Sequence, residues 1–296
     1  MKTVGIMSPG EMGQAIGAVL RERGMPTIAA LDGRSQRTRR LAAEARIADV
    51  GSVERLVSEA DLVLSVLVPS EAVAGAEDVA QALRSTGGQL LYADCNAIAP
   101  QTTRQVGSIV ESAGGRFIDA SIIGSPPSRS HSPRVYASGE AAPELQELAS
   151  YGLDIRVLGG DVGQASALKM CYASLTKGLT ALMTELLISA RRLGADESLR
   201  AELLASQAAL YEWAARSIPS MPPKAHRWIG EMEEIAATFE GAGLTPRMLL
   251  GAADMYRFVA ETPLGHETPE ERDQARDLES VIGSLAQVPT ASSRVG

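Results

Sequence analysis

Hydrophobic positions change rhythm partway along the chain. Up to about residue 160, short apolar runs alternate with stretches whose apolar residues recur every three or four positions. The runs are "TVGIM", "TIAAL", "LVLSVLV", "QLLYAD", "RFIDA", "VYAS" and "IRVL". They are rich in β-branched residues and bounded by Gly, Pro or Asp, the pattern of buried parallel strands. The stretches between them, such as "GQAIGAVLRERG", "RTRRLAAEA", "SVERLVSEA" and "AVAGAEDVAQALRSTG", carry helical spacing. Alternating β and α predicts an α/β domain with a doubly wound, mostly parallel sheet and a ligand crevice at the carboxyl ends of its strands. After "GGDVG" (159–163) the strand signals stop. Helices are expected over 164–194, 196–217, 224–241, 245–262 and 268–286, with a break at Pro219, Pro222 and Pro223. The predicted organisation is an α/β domain over 1–162, an all-α C-terminal domain over 163–288 and a frayed tail over 289–296.

Composition narrows the function classes. A chain of 296 residues holds one large domain or two ordinary ones. The formal net charge is -8 and no basic run is long enough to follow a phosphate backbone, which argues against a nucleic-acid partner. "MKTVGIM" enters a strand directly, without a signal-peptide pattern, and no uncharged apolar run is long enough to span a membrane. A cytoplasmic protein with no membrane partner is expected. Cys95 and Cys171 lie in apolar segments and are expected as buried, reduced thiols. His131, His226 and His266 are scattered, with no metal-ligand spacing, so no metal is expected.

The first chemistry lies in "TVGIMSPGEMGQAIGAVL", a strand, turn and helix. Gly10 lets the backbone approach a pyrophosphate, and Gly13 lets the helix pack close to the strand. The helix N-terminus offers N–H groups and partial positive charge to phosphates. Ser8 stands where G-x-G-x-x-G has its first glycine. Ser8, Pro9, Gly10, Glu11 and Met12 are therefore candidate contacts for a dinucleotide, and the domain reads as a Rossmann fold. The second strand ends in "AALDGRSQRTRR". There Arg34 and Ser35, with Arg37 close by, suit a 2′-phosphate, because guanidinium meets phosphate with a planar fork. Asp32 keeps the alternative of ribose hydroxyls. NADP is the expected cofactor, with NAD possible.

These residues resemble the β-hydroxyacid dehydrogenases, the group containing 6-phosphogluconate dehydrogenase and 3-hydroxyisobutyrate dehydrogenase. The family turn G-x-G-x-M-G is matched by "SPGEMG". Its proline-containing loop is matched by "LSVLVPSEA", and its Asp, small polar pair and Pro-initiated helix by "ADCNAIAPQTTR", with Asn96 and Pro100 in place. The substrate strand D-A-x-x-S-G-G is similar to "DASIIGSPP", which keeps Asp119, Ala120 and Gly124. The interdomain motif G-x-G-x-x-x-K-x-x-x-N is similar to "GQASALKMCYA", which keeps Gly163 and puts a lysine at Lys169. The resemblance covers roughly the first 180 residues; "KMCYASLTKG" and "EMEEIA" resemble a subgroup with its own helical C-terminal domain. It implies cofactor contacts at Val68, Pro69 and Asn96 as well. Two departures stand out: Ala173 replaces the family asparagine that helps hold substrate, and Gly124–Ser125, preceded by Ile123, replaces the Gly-Gly pair.

The stretch "ASALKMCYASLTKGLTALM" raises the sharpest question, because its only charges are Lys169 and Lys177, with no carboxylate beside them. A helix apolar on all sides is expected to be buried, and burial lowers a lysine's pKa toward neutral, which suits a general base. By resemblance, Lys169 takes the proton from a substrate hydroxyl, or returns it to a carbonyl oxygen in reverse. A lysine snorkelling from the helix edge is the bland alternative. Lys177 either holds a substrate anion, lowers the pKa of Lys169 or reaches solvent. Thr176 beside it can donate a hydrogen bond, and Tyr172 is an alternative proton donor that reads more simply as a core tyrosine. Ser121, Gly124 and Ser125, at the carboxyl end of the "RFIDA" strand, are candidates for a substrate carboxylate. Arg129, His131 and Arg134 in "SPPSRSHSPR" read as a surface loop. The family's lysine and acid after "HRW" are matched here by Gly230 and Glu231, so the lysine is missing.

The expected activity is oxidoreduction between NADP(H) and a small, carboxylate-bearing hydroxy acid or its keto form. An imine or ketone reductase of the same architecture is the second enzyme class; imine reductases usually carry Asp or Tyr where Lys169 stands. A non-catalytic NADP-binding module is the third possibility. Resemblance implies a homodimer through the helical domain, where "LLASQAALYEWAA" and "MLLGAADMYRFVA" offer apolar faces.

Overall fold

The computed structural model describes residues 1–128 and 131–289. The chain forms two compact units, one of Met1–Cys171 and a second from Tyr172 onward. In the first unit the elements run β1 (Val4–Met7), α1 (Glu11–Glu22), β2 (Thr27–Ala29), α2 (Gln36–Glu44), β3 (Ala48–Asp49), α3 (Val53–Glu59) and β4 (Leu62–Ser65). They continue with α4 (Ala72–Thr86), β5 (Leu91–Asp94), α5 (Pro100–Ser112), β6 (Arg116–Ile123), β7 (Arg134–Ser138) and β8 (Asp154–Val157). The sheet order is β3-β2-β1-β4-β5-β6-β7-β8. The order turns back between β1 and β4, whose parallel register pairs Val4 with Leu62 and Met7 with Ser65. A switch of this kind opens a crevice at the carboxyl ends of the strands.

Alternation along each strand feeds both faces of the sheet. Leu62, Leu64, Leu91 and Ala93 pack with Ile16 and Leu20 of α1 on one face. Val63, Tyr92 and Phe117 pack with Leu56, Val79 and Val106 of α3, α4 and α5 on the other. Helices on both sides of a mostly parallel sheet make the doubly wound Rossmann architecture the hydrophobic pattern predicts.

The long helix α6 (Gln164–Arg192) is followed by α7 (Asp196–Ser206), α8 (Ala208–Ser217), α9 (Ala225–Gly241), α10 (Arg247–Ala260) and α11 (Leu278–Ala286). Within the second unit, Met232, Ile235 and Ala236 of α9 and Ala252, Ala253, Tyr256 and Val259 of α10 are buried. The three prolines fall in two short 3-10 turns, Ile218–Ser220 and Pro222–Lys224.

Within this mostly parallel sheet β6 and β7 pair antiparallel, because the connection between them is short and a parallel return needs a longer crossover. Several expectations need correction. β3 is only two residues long and has no apolar run to announce it. The helix expected over 196–217 breaks at Gln207. α7 buries no residue while α8 buries Tyr211 and Ala214, so the two helices have different packing demands. Residues 268–277 are turns, and α11 begins only where Asp277 caps it, accepting from Ser280 N. Cys171 is exposed, whereas Cys95 is buried; both are free thiols. Nor is α6 buried on all sides, since Leu168, Leu175 and Leu182 are 37%, 62% and 57% exposed, and Tyr172, expected in the core, is 47% exposed. Of the expected tail, 290–296 lies outside the described residues. Among the described residues, no helix is long and apolar enough to cross a membrane.

Candidate active site

The turn after β1 keeps its geometry without its first glycine. Ser8 adopts the left-handed conformation, φ 59°, at a cost of about 1–2 kcal/mol for a residue with a Cβ. Its carbonyl oxygen accepts the Gly10 N–H at 2.7 Å. The same oxygen explains Gly13: a Cβ there would lie 2.8 Å from it. Gly10 caps α1 with no side chain over the helix end, and a Cβ on it would meet only Ser8 O, at 4.0 Å. The N-terminus of α1, where a helix receives an anion, lies directly behind this turn. Pro9 is buried and Met12 packs half-buried against the core. This arrangement fits a dinucleotide pyrophosphate.

Beyond β2 lies a cavity of about 440 Å³, lined by Asp32, Gly33, Arg34, Ser52 and Glu71 among others. It brings Arg34 and Asp32 to one site, as the sequence suggested, and adds Glu54, Glu71 and Asp78, which it did not. The Ser35 hydroxyl is spent on the fold: it caps α2, accepting from Thr38 N at 3.2 Å. Val68 is 40% exposed, and Pro69 opens a short 3-10 turn, Pro69–Glu71.

Two buried aspartates build the ground beneath Lys169. Asp119, in β6, receives the start of α6. Its Oδ2 accepts from Gly163 N at 2.8 Å, Ser166 N at 3.2 Å and Ser138 Oγ at 2.9 Å, and its Oδ1 accepts from Ser166 Oγ at 2.6 Å. A carboxylate on these N–H groups satisfies the helix end and matches its dipole. Thr103 Oγ1 and Ser166 Oγ, 2.8 Å apart, tie α5 to the same cluster. Asp94 ends β5 and holds Asn96 through its backbone N–H at 2.9 Å and its side-chain amide at 3.0 Å. The Asn96 amide also donates to Ser65 Oγ at 3.1 Å, and its oxygen accepts from Leu67 N at 2.5 Å. Asn96, expected as a cofactor contact, is 2% exposed, and its side chain staples β4 to β5.

Lys169, half-buried, donates from Nζ to the carbonyl oxygens of Cys95 at 3.3 Å and Asn96 at 3.1 Å. Burial pushes the Asp94 carboxyl up to about 7, its hydrogen bonds from Asn96 and the charge of Lys169 pulling the other way. Burial also pushes the Cys95 thiol up to about 12, so it is no nucleophile at neutral pH.

Other expected contacts separate. Ser121 is fully buried in β6, its hydroxyl without a protein partner, so it faces the fold rather than an open crevice. Gly124 has φ 131° and stands exposed with Ser125 just after β6. His131 lies close by, its Nε2 3.6 Å from where a Gly124 Cβ would stand. Arg134 begins β7, and Arg129 lies outside the described residues.

In the helical unit, Lys177 is not a lone cation. It donates to Glu231 Oε2, each side chain 16–17% exposed, and its Nζ sits 5.4 Å from the Trp228 ring centroid. Trp228 meets Tyr256 edge to face at 5.2 Å, and the Tyr256 hydroxyl donates to Lys177 O at 2.6 Å. The acid after "HRW" thus finds its cation on α6. The Thr176 hydroxyl makes long contacts to carbonyls of its own helix, both 3.5 Å. The roles of Asp94 and Asp119 escaped the sequence reading, although each stands at the end of an apolar stretch, "LLYAD" and "RFID". Among the described residues no cluster of His, Cys, Asp or Glu can hold a metal ion.

A Rossmann sheet, a helix N-terminus behind a tight glycine turn and a cavity at the end of β2 define a dinucleotide-binding domain. Residues 3–151 match the family model of the NAD binding domain of 6-phosphogluconate dehydrogenase, and 190–259 match a domain of unknown function (DUF1932). The chain belongs to the 6-phosphogluconate dehydrogenase-like NAD-binding family. It is 31% identical to a solved conserved protein of unknown function with structural similarity to 3-hydroxyacid dehydrogenases, with 90% of this chain and 100% of that one covered and a TM-score of 0.65. The fold is shared with the 3-hydroxyisobutyrate dehydrogenase of Mycobacterium tuberculosis, solved with L-serine, at 21% identity, 96% and 99% coverage and a TM-score of 0.69. An uncharacterised 28.5 kDa protein of Methanothermus fervidus is 26% identical over 196 residues, 66% of this chain and 74% of that protein.

Proposed function

We propose that this protein is an NADP(H)-dependent dehydrogenase or reductase acting on a small hydroxy acid or its keto form. The observation that carries the proposal is Lys169, half-buried and held by two backbone carbonyl oxygens at the carboxyl end of β5. When bound, the nicotinamide supplies or accepts the hydride. Lys169 moves the proton at the substrate oxygen, as general acid for the keto form and general base for the alcohol. The backbone and hydroxyl of Gly124–Ser125 are exposed beside the end of β6 and suit a carboxylate. The preference for NADP rests on Arg34 in the cavity wall.

A neutral carbonyl or imine substrate is the second reading. It is favoured by the enclosure of Ser121 and by the pairing of Lys177 with Glu231, which together leave fewer groups for a carboxylate. A homodimer is supported by the exposed leucines seven residues apart on α6 and by α7, which buries no residue of its own. Light scattering showing a monomer overturns that part.

The test is a fluorescence titration with NADPH and with NADH, then turnover on β-hydroxy acids, keto acids and cyclic imines. Tighter NADPH binding with hydroxy-acid turnover is expected. Equal or tighter NADH binding overturns the cofactor preference, and turnover confined to imines overturns the substrate class.

A further inference from the structure

We propose that Asp94 is the positioning residue for Lys169: it folds residues 95–96 so that two carbonyl oxygens converge on the amine, and it governs how readily the amine releases a proton. The inference rests on the reading of Lys169 as the proton-transfer group.

Successive carbonyls of an extended chain point to opposite sides, so the Cys95 and Asn96 oxygens would not ordinarily meet one amine. Here they do, at 3.3 and 3.1 Å. The device that turns them is an Asx turn: Asp94 Oδ1 accepts the N–H two residues on, that of Asn96, at 2.9 Å. Its Oδ2 takes the Asn96 side chain at 3.0 Å, and that side chain is anchored in turn to Ser65 Oγ and Leu67 N. One carboxylate therefore holds both the backbone and the side chain of the residue that holds Lys169.

Asp94 is 1% exposed. The titratable groups whose charge bears on it are Asp119 and Lys169, and it acts in turn on Tyr92 and Cys95. Lys169 is the one cation of that set. Asp119 is committed to the start of α6. A buried carboxylate behind the turn favours the ammonium form of Lys169, and losing its charge favours the amine. Because burial brings the Asp94 carboxyl up to about 7, that exchange falls at neutral pH.

The test needs no substrate. Competitive acetylation of the full-length protein, read by mass spectrometry across pH, gives a labelling midpoint for each lysine. Asp94→Asn is expected to lower the Lys169 midpoint by about one pH unit or more, leaving that of Lys177 in place and NADPH binding within a few-fold. An unchanged Lys169 midpoint in folded Asp94→Asn overturns the proposal; a purely structural role would not move it. If that variant does not fold, the wild-type protein decides, since Lys169 labelling then shows a second inflection near pH 7 and a single-step curve overturns the proposal. Failure of the catalytic reading shows up separately, as retained turnover in Lys169→Ala.

Discussion

Lys169 and Lys177 stand eight residues apart on one helix and meet opposite surroundings. In the α/β unit, Lys169 donates to two backbone carbonyl oxygens. In the helical unit, Lys177 is matched by the Glu231 carboxylate and laid over the Trp228 ring. Two cations that look alike in the sequence thus meet different acceptors, main-chain carbonyls for one and a carboxylate for the other.

The strongest way to break that contrast is substitution of the lysines themselves. Lys169→Ala should lower kcat by about 10³-fold or more with cofactor affinity nearly unchanged. Lys177→Ala should cost turnover less than tenfold (about 1.4 kcal/mol). Steady-state kinetics with either order reversed would end the distinction. Gly13→Ala sharpens the functional side: its methyl would stand 2.8 Å from a backbone oxygen. Moving that turn should weaken NADPH binding by about 10–100-fold, roughly 1.4–2.7 kcal/mol, as judged by titration. On the structural side, Glu231→Gln strands the Lys177 cation beside Trp228 and should destabilise the fold by about 1–3 kcal/mol, measured by denaturant unfolding.

Arg34→Ala should weaken NADPH binding by about tenfold, roughly the 1.4 kcal/mol of one charge-assisted contact, and leave NADH binding unchanged. The smallest effect is in pH. The folded Asp94 carboxyl is raised to about 7 from an ordinary 3.8, so the folded state binds the proton more tightly than the unfolded chain. Above pH 7 its burial as a charge costs stability, and that cost is relieved as pH falls from about 8 toward 4. The melting temperature of wild type relative to Asp94→Asn should therefore rise on acidification. A pH-independent difference would mean that Asp94 is not titrating there.

The regular elements were legible where local pattern and packing agree. Continuous apolar runs flanked by turn residues marked β1, β2 and β4 to β8, and 3.6-residue spacing marked α1 to α4, because burial on two faces or one stripe demands those patterns. The break at Gln207 was not legible, since "ASQAA" contains no proline or glycine and the interruption reflects what α7 and α8 pack against. The charged stretch 268–277 gave no apolar stripe to a helix, and the Asp277 cap that starts α11 lies at its end. The nucleotide turn was readable, even with Ser8 in the first glycine's place, because backbone closeness at Gly13 constrains residue type directly.

The sequence by itself determined the order of the elements, the tight turn before α1 and the presence of two lysines on an apolar helix. Those are local facts, set by which side chains a strand, a turn or a helix tolerates. What each lysine can do was decided by the tertiary structure. Its partners come from far along the chain: Cys95 and Asn96 for Lys169, Glu231 and Trp228 for Lys177. The field at an amine depends on what the fold brings within a few ångströms of it, and no spacing along the chain encodes that distance.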